Sequence, residues 1–412
     1  MIWFFLLSGL FLGWSLGAND AANIFGTAVG TRMVRFRLAA LIASLGVIAG
    51  AVIGGAGTTD TLGMLGAVDA LAGSFTVALA AALCVAWMNS SGLPVSTSQA
   101  VVGAIIGWNL FTGAPTDVRV LGNIIAAWIA SPVIAGVVAV LLYLLARRLL
   151  GRYPTHLLEL DAITRSGLIV VGAFGAYSLG ANNIGNAMGV FVPAAPFHDL
   201  HLAGLTISGV QQLFLLGGLA IALGIWTNSY RVMTTVGSQL FRLTPILALV
   251  VVLAHSVALF LFASTGLRNL LLGAGLPALP LVPVSSSQAI IGAILGVALV
   301  KGGGSGVRLS MLGRVALGWL ATPLAAGLLS FLALFFVQNV FDLEVTRAGR
   351  PAVAAATGEP VGGEPLPGPP VVSSQPENPA AGLNAERPAP ATSPPPCPKE
   401  EPPLSALHDL GS

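Results

Sequence analysis

The sequence predicts an all-α polytopic membrane protein built as an inverted-topology internal repeat, with two discontinuous-helix or hairpin motifs meeting near the bilayer midplane. Three observations carry this. Of the 412 residues, 55% are hydrophobic and 8% charged, against about 25% charged in a typical soluble domain. Apolar stretches of about 20 residues, the length that crosses a bilayer, follow one another from residue 1 to residue 342. Two polar motifs then occur twice each, in the same order.

The first motif reads GANDAANIFGTAVG at 17–30 and GANNIGNAMGVFVP at 180–193. The second reads LPVSTSQAVVGAIIGW at 93–108 and VPVSSSQAIIGAILGV at 282–297. The copies lie 163 and 189 residues apart, so the second half carries about 26 extra residues. These are expected around TNSYRVMTTVGSQLFRL and in TGLRNLLLGAGLPALPL. The repeats are assigned to residues 1–152 and 153–344. Fifty-one glycines fit closely packed membrane helices.

Residues 345–412 hold 16 of the 27 prolines and no apolar run. Such a segment cannot bury enough surface to offset its ordering entropy and is expected to be a disordered tail. The N-terminal segment is apolar and ends in small residues, like a signal peptide. It lacks a positively charged start, and its motif recurs mid-chain, so it is expected to be retained. Cys84 and Cys397 suggest neither a disulfide framework nor a metal site.

Basic residues cluster at Arg32, Arg35 and Arg37, at Arg147, Arg148 and Arg152, at Arg231 and Arg242, and at Lys301, Arg308 and Arg314. Under the positive-inside rule these face the cytoplasm. The first GAN helix then runs inward, and the second, which follows Arg165, runs outward. Residues 64–110 fit a hairpin entering from outside and turning near 90–97; residues 245–300 fit one entering from inside and turning before Pro283. Arg268, Arg347 and Arg350 would lie outside, against the rule. Inverted repeats with polar breaks near the midplane are typical of secondary transporters.

Proline disfavours helix in the residue before it, so helices can start just after Pro94 and Pro283. Ser96 with Gln99, and Ser285 with Gln288, fit the S-x-x-Q capping box. Well-capped helices in a membrane would be the plain outcome, because unsatisfied N–H groups are costly there. Two such N-termini, one per repeat, also suit a tetrahedral oxyanion, since each carries about half a positive charge. The anion would be cradled by Ser96, Thr97 and Ser98 with Ser285, Ser286 and Ser287. No lysine or arginine falls inside a span near these motifs, so helix dipoles and a co-transported cation would neutralise it.

Asp20 is an ionisable residue at membrane depth, which marks function by default. It could be a structural carboxylate paired with Asn19 or Asn23, a ligand for coupling Na⁺, or a proton acceptor. In the second copy its place is taken by Asn183, while Asn182 and Asn186 match Asn19 and Asn23. The site is therefore asymmetric, with one carboxylate. Amide oxygens still coordinate a hard cation but contribute less charge. His255 is the other ionisable group inside a span; it either hydrogen-bonds to a neighbouring helix or couples protons. Asp69 reads as interfacial, and the tryptophans as interface anchors or packing.

GANDAAN with its second copy, and PVSTSQ with PVSSSQ, resemble the inorganic phosphate transporter (PiT) family of cation-coupled symporters, as does YRVMTTVGSQLFRLTP. The resemblance covers most of 1–342 and none of the tail. It implies inverted repeats, external termini and phosphate uptake with Na⁺ or H⁺ across the cell membrane. By matching position it places Asp20, Asn23, Asn183 and Asn186 with the six hydroxyl residues in the substrate site. The coupling ion would draw on Asp20, Asn19, Asn23, Asn182, Asn186, Gln99 and Gln288. Three departures stand out. Asn183 replaces the usual aspartate, Gln99 and Gln288 stand where histidine is common, and FRLAALIASLGVIAGAVIGG lacks the glutamate that many members carry.

Inorganic phosphate is favoured over sulfate because it can donate a proton to a buried carboxylate, whereas sulfate only accepts. A passive channel would need a continuous lined pathway, and the polar groups are instead concentrated at two breaks. No nucleophile–base pair, metal cluster or nucleotide loop suggests an enzyme. No cofactor beyond the coupling cation, no metal beyond transported Na⁺ and no nucleic-acid partner are expected. The lipid bilayer and a homodimeric partner are.

Overall fold

The structure is a computed structural model that describes residues 2–90, 95–152, 156–194, 197–202, 205–236, 244–302 and 309–347. Twelve α-helices occur among them. The first half contributes α1 (Ile2–Gly30), α2 (Phe36–Gly54), α3 (Ala56–Leu65), α4 (Leu71–Ser90), α5 (Thr97–Thr112) and α6 (Val118–Arg152). The second contributes α7 (Leu157–Met188), α8 (Gly209–Val236), α9 (Pro245–Ala263), α10 (Thr265–Gly273), α11 (Ser286–Gly302) and α12 (Leu309–Asn339). Helices dominate because a bilayer offers no water to backbone polar groups, so each span must close its own hydrogen bonds.

Seven helices, α1, α2, α4, α6, α8, α9 and α12, are long and apolar enough to cross a membrane. This is a multi-pass membrane protein. α7 is longer than most of them yet falls outside the seven. Its start carries Glu159, Asp161 and Arg165, and its end carries three asparagines. Those asparagines are buried among other helices, so the polarity faces protein and not lipid. The most apolar windows of α6 and α12 are only 17% and 22% buried, which makes them the lipid-facing pair.

Contacts between the halves are reciprocal. α1 packs on α8 and α2 on α7; α5 packs on α12 and α11 on α6. Each seam depends on glycine. A Cβ on Gly17 would lie 1.8 Å from the Ile221 carbonyl oxygen, and one on Gly180 2.1 Å from that of Val47. On the other seams, a Cβ on Gly103 would meet the Pro323 carbonyl, and one on Gly292 the Pro132 carbonyl, each at 2.1 Å. Such backbone-to-backbone approach is the usual way membrane helices associate.

Two features differ from expectation. A two-stranded antiparallel hairpin, β1 (Leu200–Leu202) with β2 (Leu205–Ile207), joins α7 to α8 after a 3₁₀ turn at Gly189–Phe191. The connection between α1 and α2 is far shorter, so much of the extra length in the second half lies here. YRVMTTV, expected as an insertion, continues α8; 237–243 lie outside the described residues. As expected, the second hairpin turns before Pro283: α9 runs its full 19 residues, about 28 Å at 1.5 Å each, and the chain then turns through α10 and an extended return. There the Val282 N–H donates to the Phe262 carbonyl (3.1 Å) and the Thr61 hydroxyl of α3 donates to the Leu281 carbonyl. The extended return is thus tied both to the end of α9 and to α3.

The body extends a little past residue 344. Val345 is buried, its carbonyl accepts from Trp108 Nε1 (3.0 Å), and the Arg347 N–H donates to both Asp69 carboxylate oxygens (3.1 Å each). Of the segment expected as a disordered tail, everything from residue 348 lies outside the described residues.

Candidate functional site

α5 and α11 begin where the serine motifs predict. Ser96 caps α5, its hydroxyl oxygen accepting from the Gln99 N–H (3.3 Å), and Ser285 accepts likewise from the Gln288 N–H (3.2 Å). The reciprocal arm of the capping box is absent. The side-chain carbonyl oxygens of Gln99 and Gln288 are buried with no hydrogen-bond partner. Neither glutamine reaches back to its cap, so both oxygens remain available.

The two motifs meet and clasp each other. The Ser98 hydroxyl donates to the Val284 carbonyl and the Ser287 hydroxyl to the Val95 carbonyl, both at 3.1 Å. Each hydroxyl thus satisfies the backbone just ahead of the opposite motif. Both of these protons are committed to protein, so Ser98 and Ser287 hold the cradle together. Ser98→Ala takes the acceptor from Asn186 Nδ2, while the Val284 carbonyl keeps Asn182 as donor, and Ser287→Ala leaves the Val95 carbonyl unpaired, each at about 1–3 kcal/mol. Each is expected to lower the thermal midpoint of the detergent-solubilised protein by several degrees.

The asparagines of α1 and α7 complete the assembly. Asn182 grips the Val284 peptide on both sides: its Nδ2 donates to the carbonyl (2.9 Å) and its Oδ1 accepts from the N–H (3.0 Å). Asn182 Nδ2 also donates to Asn183 Oδ1 (2.9 Å), which orients Asn183 so that its Nδ2 donates to Asp20 Oδ2 (2.8 Å). Asn19 Nδ2 donates to the other carboxylate oxygen (3.3 Å). Both Asp20 oxygens accept, which suits the ionised form. Asn23 Nδ2 donates to Ser286 Oγ and Asn186 Nδ2 to Ser98 Oγ, both at 2.9 Å, leaving Asn186 Oδ1 buried and unpartnered.

Every residue proposed from the sequence for substrate or cation is therefore brought to one region, and all but Asn19 and Asn23 are buried. Asp20 is the single buried member of the Asp, Glu, Lys and Arg set among the described residues. No group of three or more His, Cys, Asp or Glu side chains able to hold a metal occurs among them either. The interior thus offers two helix N-termini and hydroxyls to an anion, and one carboxylate with three unpaired amide oxygens to a cation.

One residue was singled out without its place in the site, and one feature was missed. His255 on α9 reaches the site, its Nε2 lying 3.1 Å from Ser286 Oγ. The missed feature is a third repeated motif, WIASPVIAG at 128–136 on α6 and WLATPLAAG at 319–327 on α12. Its prolines and glycines form the seats for α11 and α5, and so set where both serine caps stand. The repeat of W-x-x-S/T-P-x-x-x-G at nearly the spacing of the serine motif was the signal available.

A family model described as the phosphate transporter family matches residues 16–268 and 279–369. Among similar curated proteins, a candidate phosphate permease of Methanocaldococcus jannaschii is 27% identical over 327 residues, covering 79% of this chain and 95% of its own. One from Pyrococcus abyssi is 23% identical over 401 residues, with the same coverage. One from Haemophilus influenzae is 24% identical over 428 residues, covering 83% and 98%. A solved structure titled as a sodium-dependent phosphate transporter matches with a TM-score of 0.66 at 21% identity, over 82% of this chain and 98% of that one.

Proposed function

The chain belongs to the phosphate transporter family, and from that premise we propose that it is a symporter importing inorganic phosphate with Na⁺ across the cell membrane. The observation that carries this is the pairing of opposite chemistries in one buried region. Two serine-capped helix N-termini suit a tetrahedral oxyanion. Beside them, Asp20 and the unpartnered oxygens of Gln99, Gln288 and Asn186 suit a hard cation. A proton would need only Asp20 and would leave the three amide oxygens unpaired, which favours Na⁺ over H⁺.

Charge demands coupling. Among the described residues the buried region holds one carboxylate and no lysine or arginine. A phosphate dianion added to it would leave about three negative charges, so more than one cation must accompany it. Each elementary charge crossing the membrane also exchanges about 2.3 kcal/mol per 100 mV with the potential. A cation count that outweighs the anion makes import favourable against an inside-negative interior.

The reciprocal helix contacts and the mutual serine clasp support two inverted repeats, residues 1–152 and 153–344, enclosing the site between them. The lipid-facing α6 and α12 are where a second copy would associate. Asp20 favours phosphate over sulfate, because only phosphate brings a proton to it.

The test is uptake of labelled phosphate into proteoliposomes under a Na⁺ gradient and separately under a proton gradient, with excess unlabelled sulfate as competitor. Uptake driven by Na⁺ and indifferent to sulfate is the expected result. Uptake driven only by protons moves the coupling to H⁺, and competition by sulfate moves the substrate to that anion. Flux independent of any gradient would make the protein a channel.

A further inference from the structure

We infer that His255 is a positioning residue that sets the Ser286 hydroxyl as a proton donor to the bound anion; the inference rests on the anion site proposed above. The hydrogen bonds of the second motif leave only this hydroxyl in question. The Ser287 proton goes to the Val95 carbonyl. Ser285 Oγ lies 3.0 Å from Ser287 Oγ, whose proton is already committed, so Ser285 is the donor of that pair. Ser286 Oγ accepts from Asn23 Nδ2 (2.9 Å) and faces His255 Nε2 (3.1 Å).

A hydroxyl has one proton and two acceptor positions, so the imidazole tautomer decides where the Ser286 proton points. If Nε2 were bare, Ser286 would donate to it, the anion would lose its donor, and an N–H on Nδ1 would be buried. His255 is fully buried and its Nδ1 has no partner. Orphaned buried N–H groups are rarer than under-satisfied acceptors, which selects the tautomer with the proton on Nε2. Ser286 then accepts from both Asn23 and His255, and its own proton is released toward the ligand. The equivalent arm of the first half, α4, contains no histidine. The arrangement is thus asymmetric, with the carboxylate from one half and the imidazole from the other.

Two measurements test this. In protein ¹⁵N-labelled at its five histidines, with His255 assigned by its loss in His255→Gln, the ring should carry its proton on Nε2 at pH 7, with Nδ1 bare. An imidazolium or an Nδ1–H ring overturns the inference. In proteoliposomes, His255→Leu should raise the phosphate KM about tenfold, the scale of one lost hydrogen bond. His255→Gln, whose amide can donate in place of Nε2–H, should stay within about twofold of wild type. In a Ser286→Ala background His255→Leu should have no further effect. Equal losses in the Gln and Leu variants, or an undiminished effect without the Ser286 hydroxyl, would also overturn it. Should the wild-type protein take up no phosphate, the proposed function fails, while the ring tautomer still decides the role of His255.

Discussion

Asp20→Asn is expected to cut cation-driven phosphate uptake by about 100-fold or more while leaving the protein folded. Asp20 is the one buried charge among the described residues able to hold a transported cation. Removing one partner of a buried charged pair costs about 3–5 kcal/mol, and each 1.36 kcal/mol is about tenfold in rate. The fold should survive because the replacement is isosteric and its neighbours can adapt. An asparagine at 20 still offers its carbonyl oxygen to Asn183 Nδ2. Its new amide group faces Asn19, which is only half-buried and free to turn its own carbonyl inward. Asn183 need not move, and so the Asn182 grip on the Val284 peptide is kept. The check is initial uptake rate under the driving gradient, alongside the monodispersity and thermal midpoint of the purified variant. A variant that unfolds would show that Asp20 is structural, and one that transports normally would remove it from the ion path.

Gly17→Ala is the second large effect, and it acts on the fold. The added methyl would lie 1.8 Å from the Ile221 carbonyl oxygen. No rotamer change relieves a clash of Cβ with backbone, so α1 and α8 must separate. Overpacking usually costs about 1–3 kcal/mol, and a rigid contact of this kind belongs at or above the top of that range. Gly26→Ala, on the same helix, is the control: its nearest neighbour outside the helix, the Met233 carbonyl, would stand 3.6 Å away, an ordinary contact. There the substitution should be neutral or stabilising, because alanine is preferred to glycine in a helix by about 1 kcal/mol. Thermal midpoints in detergent should therefore move in opposite directions, with Gly17→Ala giving little monodisperse protein. Similar midpoints for the two variants would contradict the close packing of α1 on α8.

The GAN and serine motifs were legible because polar residues in apolar spans are conspicuous, and a second copy removes coincidence. Their internal division of labour was not. Gly17 and Gly180 are the seats for α8 and α2, whereas the asparagines that follow build the site. Both roles are written in one short string. Gln99 and Gln288 read as capping residues from spacing alone; only coordinates reveal that their carbonyl oxygens stay unpaired. His255 looks like any solitary buried histidine, since its partner stands 31 residues further on, beyond α10 and the extended return. The β1–β2 hairpin escaped notice because strands of three residues leave no alternating pattern to detect.

The seating of α5 on α12 also constrains how the molecule is made. Gly103 waits for Pro323, which leaves the ribosome 220 residues later. Until then α5 has its glycine face uncovered and its cap unclasped, because Val284 has not been synthesised either. The first half alone therefore lacks the mutual clasp between the two serine motifs. The last membrane helix among the described residues, α12, is thus the one that seats the helix of the first serine motif.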